Sequence, residues 1–533
     1  MPSSGRRPAP PHVRRRFRAP ARAGLAVVVG LLAAVPVLGQ SLPCPLHRSL
    51  SPVRTVCPGP DAPFRLRALA DSTPVLASAV LLPVRIDSYL RSAYPMDREN
   101  GGVWAGKGAS GRVSLGVAGT WGRLTWSIHP ELSASTNASF AIADTTVPGY
   151  ASEAYPWELV RIDLPQRPGP DALTRIGPGQ SFVEVAGPAR SRVRVSSENL
   201  VWGPSRRYPL LIGATAEGFP HLFVTSGRVG VGPVTAEAMG VFGFLWESDY
   251  HDRNPANDRQ FLEAVRLELT MGRDWPLQVA VTSLVRQRAR DRFQVTDLLE
   301  VFPTSSVQDA TGPTVDALGA LEWRWFADPV VVRGTWGRGD FFLDFEDLLT
   351  QPEHNHFWGL GADYRWEGGP ATDWVLSIEH ASTAATNPQF GLRGYSSTVY
   401  RHAGLTQGHT NRGQHLAASI GPGSRATAVE VSRVGTERVM RAMVEQIQWD
   451  LDTHRRTLRS EFGTDSRDTE YLLGGAVDLP GSDLGVSDVR VRGAAGLSAR
   501  ANRQFVRFTS GQSGRPKWET NVWLDVSLEW TPR

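Results

Sequence analysis

The segment from Asn521 to Trp530 alternates with a period of two: Val522, Leu524, Val526, Leu528 and Trp530 fall on one face, Trp523, Asp525, Ser527 and Glu529 on the other. A strand lying between two different solvents requires that period. In a chain that also carries an export signal, it predicts an all-β fold, a transmembrane antiparallel β-barrel. The outer face of such a barrel meets lipid and the inner face meets water.

The opposite end carries the export signal. Residues 1–22 hold seven arginines (Arg6, Arg7, Arg14, Arg15, Arg16, Arg18, Arg22) and no acidic residue; an apolar run follows from Ala23 to Leu38, then Gly39. A basic start, an apolar centre and a small-residue neighbourhood describe a secretory signal peptide over 1–39. The run is shorter than the ~20 residues that span a bilayer comfortably as a helix; a retained N-terminal anchor is the lesser alternative. Arg14-Arg15-Arg16-Phe17 faintly resembles a twin-arginine signal, but a barrel precursor must cross unfolded. Ser41-Leu42-Pro43 before Cys44 is no lipid-attachment context.

Removing that segment changes the charge argument. The full chain has 57 basic and 53 acidic residues; without the seven arginines, 50 stand against 53, a net charge of −3. The basicity belongs to the targeting peptide, so nucleic-acid binding loses its main support. No apolar stretch after Leu38 approaches the length of a membrane-spanning helix. Seventeen tryptophans and twenty phenylalanines are enough to form aromatic girdles at two interfaces. Cys44 and Cys57, the only cysteines, are placed to close a small periplasmic disulfide loop; two free thiols fit equally well.

Residues 40–104 read as an irregular periplasmic or lumenal lead-in with one apolar patch, Val75 to Ile86, and 105–533 as the barrel. Val113, Leu115 and Val117 alternate with polar or small residues; a turn is expected at Gly119-Thr120-Trp121-Gly122, and Leu124, Trp126 and Ile128 return. The pattern recurs through Val234–Phe244, Val265–Met271 with Leu277–Val281, Leu321–Trp325 with Val330 and Val332, Trp374–Ile378, Val429–Val431 and Val489–Leu497. Longer polar connections such as Glu247–Arg259 and Arg290–Pro313 fit one rim of long loops. Val439–Leu451 is ambiguous. Its apolar residues recur at spacing four, and Arg441 and Glu445 would spoil a lipid-facing strand, so helix is slightly favoured. A strand with that face turned to the lumen stays open.

No enzymatic constellation stands out, no cofactor motif is present and no metal site is expected. Glu353-His354-Asn355-His356 is the best histidine cluster, but it lacks the spacing of a zinc motif. Two segments look unlike filler: Trp202-Gly203-Pro204-Ser205-Arg206-Arg207-Tyr208 continuing through His221 to Val224, and Tyr400-Arg401-His402 continuing through Gln407, His409, Asn411 and Arg412 to Gly423. Both resemble signatures of the Wzi capsule-assembly family of bacterial outer-membrane proteins. Ile162-Asp163-Leu164-Pro165, Gly179-Gln180-Ser181 and Ser196-Ser197-Glu198-Asn199 support the resemblance.

The resemblance implies a monomeric outer-membrane barrel of about eighteen strands, with minor helical elements on its periplasmic or lumenal side. It further implies a lectin-like, non-enzymatic protein that helps to anchor capsular or extracellular polysaccharide at the cell surface. Outer-membrane lipid and, during insertion, the barrel-assembly machinery would be its other partners. The N-terminal region departs from the family in lacking clear helical heptads. The family's sugar-binding residues lie in variable outer loops and are not carried over.

Read physically, Trp202, Arg206, Arg207, Tyr208 and His221, and likewise Tyr400, His402, Gln407, His409, Asn411 and Arg412, mix aromatic faces with planar polar groups. A saccharide site needs that mixture. The competing reading is a buried polar network inside the barrel. A porin or specific transporter is the alternative function; an outer-membrane hydrolase, with Ser205 and His221 as nucleophile and base, is a third.

Overall fold

The chain is described by a computed structural model covering residues 78–143, 145, 147–157, 161–272, 276–289, 308–309, 312–313, 315–339, 352–353, 355–369, 371–385, 399–509 and 515–531. The signal peptide, residues 40–77 with Cys44 and Cys57, His354 and most of Arg290–Pro313 lie outside the described residues.

Alternating strands pair into one closed antiparallel barrel of eighteen strands. In chain order they are β1 (Ser78–Arg91), β2 (Gly108–Trp121), β3 (Leu124–Ile128 with Glu131–Ser135), β4 (Leu173–Gly177 with Phe182–Ala186), β5 (Arg192–Ser196) and β6 (His221–Thr225 with Val229–Val231). Next come β7 (Val234–Trp246), β8 (Arg259–Met271), β9 (Leu277–Arg288), β10 (Val315–Ala327), β11 (Val330–Gly339) and β12 (His356–Gly369). The last six are β13 (Thr372–Ser382), β14 (Arg425–Gly435), β15 (Val439–Trp449), β16 (Asp468–Pro480), β17 (Val489–Ala501) and β18 (Trp518–Trp530). β18 pairs with β1 from Val84 opposite Trp530 to Arg91 opposite Trp523, which closes the wall and leaves no free edge. Short turns join the strands at the rim where β18 ends; long connections leave the other rim, the arrangement of outer-membrane barrels.

The two solvents are visible in the side chains. Val522, Leu524, Leu528 and Trp530 of β18 point outward and are exposed, whereas Trp523 and Ser527 are buried. Outward aromatics gather at both ends of the wall. Trp121, Tyr364, Trp366 and Trp530 lie near the short-turn rim, and Tyr471 and Trp518, stacked at 6.2 Å, near the long-loop rim. Inward positions carry ion pairs: Arg112 with Asp87 at 2.6 Å, Arg194 with Glu184 at 2.6 Å and Arg500 with Asp468 at 2.7 Å. An arginine at the bilayer midplane on the outer face costs about 2–4 kcal/mol. Val526, mid-strand between Ser88 and Gly493, is therefore expected to lower folding stability by about that much as Val526→Arg, read by urea titration in lipid vesicles. An unchanged midpoint would mean that this face does not meet lipid.

Three expectations are corrected. The lead-in read through Trp104 contains a wall strand, β1, so the described wall already includes Ser78–Arg91. Its alternation is interrupted between Leu82 and Arg85, where a bulge at Pro83 shifts the register. The first hairpin turns at Gly122-Arg123 and not at Gly119–Gly122, since Gly119 and Thr120 stay in the ladder opposite Trp126 and Thr125. The helix slightly favoured for Val439–Leu451 is strand β15 through Trp449, with Arg441 and Glu445 turned to the lumen, where partners neutralise them. The few helical turns are short. Most lie in connections 450–467 and 502–517 at the long-loop rim, with Gly481–Leu484 at the short-turn rim.

Candidate functional site

The described parts of the long connections 92–107, 136–172, 197–220 and 383–424 do not all project outward. Tyr208, Leu210, Leu211, Ile212, Phe219, Tyr400, Leu416 and Ile420 from them form a continuous buried core with inward wall residues Met239, Leu245, Leu262, Leu284, Leu318, Phe357 and Ile447. Connection 92–107 covers the remaining wall, where Met96 packs on Leu472 and Trp523, and Val103 on Tyr89. These segments form a plug inside the barrel.

Backbone groups taken out of water need partners, and the plug supplies them between its own segments. Gly213 N–H donates to Leu416 O at 2.6 Å, Ala216 to His415 O at 3.2 Å, and Gly101 and Gly102 to Ala214 and Thr215 carbonyls at 2.8 and 3.2 Å. Gly102 has φ +88°, and a Cβ there would sit 2.4 Å from Glu217 Cβ, so only glycine fits this crossing. Trp202 N–H donates to Ile212 O at 2.9 Å, closing the 202–212 loop on itself.

The two sequence segments meet here. Tyr400 donates its hydroxyl to Leu210 O at 2.5 Å and stacks on His409 at 5.3 Å; His409 Nε2 donates to Leu211 O at 2.7 Å. Burial holds His409 well below the usual imidazole range and His415 down to about 3, so both rings are neutral at physiological pH. Burial likewise pushes the Tyr400 phenol up. Gln407 donates to Thr410 O at 3.0 Å, and His402 Nδ1 accepts from Leu405 N–H at 3.0 Å.

Charged members of the first segment reach the wall. Arg206 pairs with Asp363 at 3.0 Å; Arg207 pairs with Glu445 at 2.6 Å, and the Tyr208 hydroxyl donates to Glu445 at 2.6 Å. Three successive N–H groups, of Arg206, Arg207 and Tyr208, converge on the Glu379 carboxylate at 3.2, 3.1 and 3.0 Å, and Ser205 adds its hydroxyl. The Ser205 hydroxyl is thus engaged by Glu379, while His221 Nδ1 donates to Phe219 O at 2.6 Å; the structure does not join the two as nucleophile and base.

The supporting stretches are junctions too. Asp163 accepts from Ser248 N–H at 2.7 Å, Ser248 hydroxyl at 2.6 Å and Gly413 N–H at 3.1 Å; burial still pushes it up to about 7. Gln180 and Asn199 exchange hydrogen bonds at 2.9 and 3.2 Å.

Above the plug, at the long-loop rim, lies a cavity of about 390 Å³, whose lining includes Trp104, Trp246, Tyr250, Arg175, Asp249, Arg412 and Gln414. A two-residue hairpin builds one side of it: Arg412 and Gly413 both have positive φ (51° and 80°), as a type I′ turn requires, between Thr410-Asn411 and Gln414-His415. Arg412 N–H donates to Trp246 O at 2.7 Å, Asn411 Oδ1 accepts from Trp246 N–H at 3.1 Å, and the Arg412 guanidinium lies 5.6 Å from the Trp246 ring centre. Arg412 and Arg175 both pair with Glu217, at 2.8 and 3.2 Å. Indole and phenol faces beside fixed planar donors and acceptors can cover the apolar side of a sugar ring and bond its hydroxyls in pairs. A larger cavity of about 640 Å³, lined by Val429, Val444, Tyr471, Leu473 and Leu497 among others, lies against the outward wall and is a lipid-facing groove.

Of the sequence candidates, only Arg412 lines the rim cavity; Trp202, Tyr208, His221, Tyr400, His402, Gln407, His409 and Asn411 are buried in or against the plug, with Arg206 and Arg207 half-buried against the wall. Glu379, Asp363 and Arg333, which receive the plug, were missed. Their signal is charge at inward positions of otherwise apolar strands. Trp104, Trp246 and Tyr250 were missed because no spacing connects them.

No family model matches the sequence, and no curated protein matches it. Among solved structures, the chain is similar to Wzi of Escherichia coli, an outer-membrane protein involved in group 1 capsule assembly and described as a carbohydrate-binding β-barrel: 10% identity, TM-score 0.54, covering 88% of this chain and 87% of that one. It also aligns with OccK2 (OpdF) of Pseudomonas aeruginosa at 11% identity and TM-score 0.39, over 85% of this chain and 97% of that one. The Wzi likeness shows the fold, an outer-membrane β-barrel.

Proposed function

We propose that this protein holds capsular or other extracellular polysaccharide at the cell surface, as a monomeric, lectin-like and non-enzymatic outer-membrane barrel. The observation that carries the reading is the pairing of a plugged lumen with an aromatic and polar cavity opening at the long-loop rim. A porin needs a continuous aqueous lumen, and connections packed on the inner wall through apolar side chains and inter-segment hydrogen bonds speak against one. The fold shared with a carbohydrate-binding barrel supports the same reading. Export through the signal at 1–39, insertion by the barrel-assembly machinery, and a Cys44–Cys57 bridge in the periplasm complete the proposal.

Deleting the gene is expected to move polysaccharide from the cell-associated to the shed fraction, and the purified protein should stay non-conducting in planar bilayers. Unchanged retention would remove the anchoring role. A wide, stable conductance would transfer the protein to the porins and transporters.

A further inference from the structure

Connection 247–258 carries a cluster that neither the plug nor the rim cavity explains. One ligand-capable atom from each of Glu247, His251 and Asp252 lies within 4.8 Å of the others. His251 is fully buried with its ring facing the Thr406 backbone, yet neither ring nitrogen is in a well-formed hydrogen bond, and Glu247 Oε2 has no partner. A buried imidazole normally spends both nitrogens on partners. Here a ring with at least one nitrogen to spare is close to an unpartnered carboxylate oxygen, and among the described residues no arginine or lysine forms an ion pair with Glu247, Asp252 or neighbouring Asp163.

The surroundings hold the three side chains in place. Asp252 accepts from Asn254 N–H at 2.8 Å and from Asn257 Nδ2 at 2.9 Å, which fixes its carboxylate and leaves lone pairs free. The Tyr150 ring packs edge-on to His251 at 5.2 Å and fixes the imidazole plane. Residues 149–151 bracket the cluster through backbone bonds, Ala151 N–H to His251 O at 2.8 Å and Arg253 N–H to Gly149 O at 3.0 Å. At its base, Glu247 N–H donates to Asp258 O at 2.9 Å. Such outer partners orient ligands in metal sites.

We propose that Glu247, His251 and Asp252 form a binding site for a divalent transition-metal ion of the zinc class. One imidazole and two carboxylates are a zinc donor set, with bonds of about 2.0–2.2 Å, reached by a slight inward movement of the three groups. The imidazole selects against calcium and magnesium, which take oxygen ligands. The ion satisfies the spare ring nitrogen and carboxylate oxygen, neutralises the local negative charge and cross-links the connection whose Glu247–Tyr250 stretch lines the rim cavity. The site stands whether or not that cavity takes a saccharide.

The test uses the full-length, tag-free protein in detergent, stripped of metal and titrated with zinc chloride by calorimetry, with elemental analysis after gel filtration. One zinc per chain is expected, undisplaced by a hundredfold excess of calcium. His251→Gln and Glu247→Gln should each weaken binding at least about 100-fold while the barrel keeps its heat-modifiable mobility on gels. No stoichiometric zinc on the unaltered chain would overturn the proposal, as would binding unchanged in both variants or zinc displaced by calcium.

Discussion

Replacing Glu379 by alanine is expected to raise the conductance of the barrel by loosening its plug. The side chain rises from β13 into the lumen and accepts from the three N–H groups of Arg206, Arg207 and Tyr208, from the Ser205 hydroxyl, and from Arg333 at 3.0 Å. Successive backbone N–H groups wrapped round an anion form a nest, and this one fastens the plug to the wall. Removing the carboxylate strands the Arg206 and Arg207 N–H groups and takes one of its two carboxylates from Arg333, while Tyr208 N–H keeps only Ser205 Oγ at 2.8 Å. Losing one partner of a buried charge pair costs about 3–5 kcal/mol. That shifts the balance between seated and released plug by two to four powers of ten, and openings become visible. Glu379→Gln keeps one acceptor oxygen but not the charge, so its effect should be intermediate. Arg333 retains Asp363 in either variant, which limits the damage to the wall itself. Single-channel recording in planar bilayers reads the result. If Glu379→Ala is as silent as the unaltered protein, the nest does not hold the plug.

The wall was largely legible because each strand separates lipid from lumen, and a period of two survives in the sequence wherever that contrast holds. Val522 to Trp530 shows it fully. The period fades where geometry or charge intervenes. In β1 the bulge at Pro83 offsets the two halves, so the outward Leu81 and Ile86, five residues apart, do not read as one face. In β15 the inward positions include Arg441 and Glu445, which look misplaced until Arg207 and Arg98 arrive from other parts of the chain to pair with Glu445. The Trp202 and Tyr400 segments were recognisable as unusual, but their mixture of rings and planar polar groups suits a sugar and a buried network equally. Only three-dimensional contacts separate those, because Leu210 and Tyr400 are neighbours across nearly two hundred residues. The rim cavity was not legible at all: Trp104, Arg175, Trp246 and Arg412 come from four connections or strand ends, with no spacing between them to read.

If the two motif segments are one cooperative unit, Tyr400 is where it should fail. Its side chain is fully buried between the segments. It bonds Leu210 O, stacks on His409, meets His415 edge-on at 4.5 Å, and lies 6.2 Å from the Phe357 ring on the wall. Truncating a buried aromatic to alanine costs about 3–5 kcal/mol, through lost transfer energy and the cavity left behind. Tyr400→Phe keeps the packing and loses only the bond to Leu210, worth about 1 kcal/mol. Neither change touches a wall ladder, so the loss belongs to local opening of the plug and not to the barrel. Native-state hydrogen exchange separates the two. In Tyr400→Ala, amides of 208–213 and of 409–416 should lose protection together by about two to four powers of ten, with strand amides unaffected. In Tyr400→Phe the loss should stay near tenfold. Protection falling in one segment alone would show two loops that merely touch. Its falling in both by the same factor would show that the motifs fold as a single body, which is why a change in either one would then be felt at the rim.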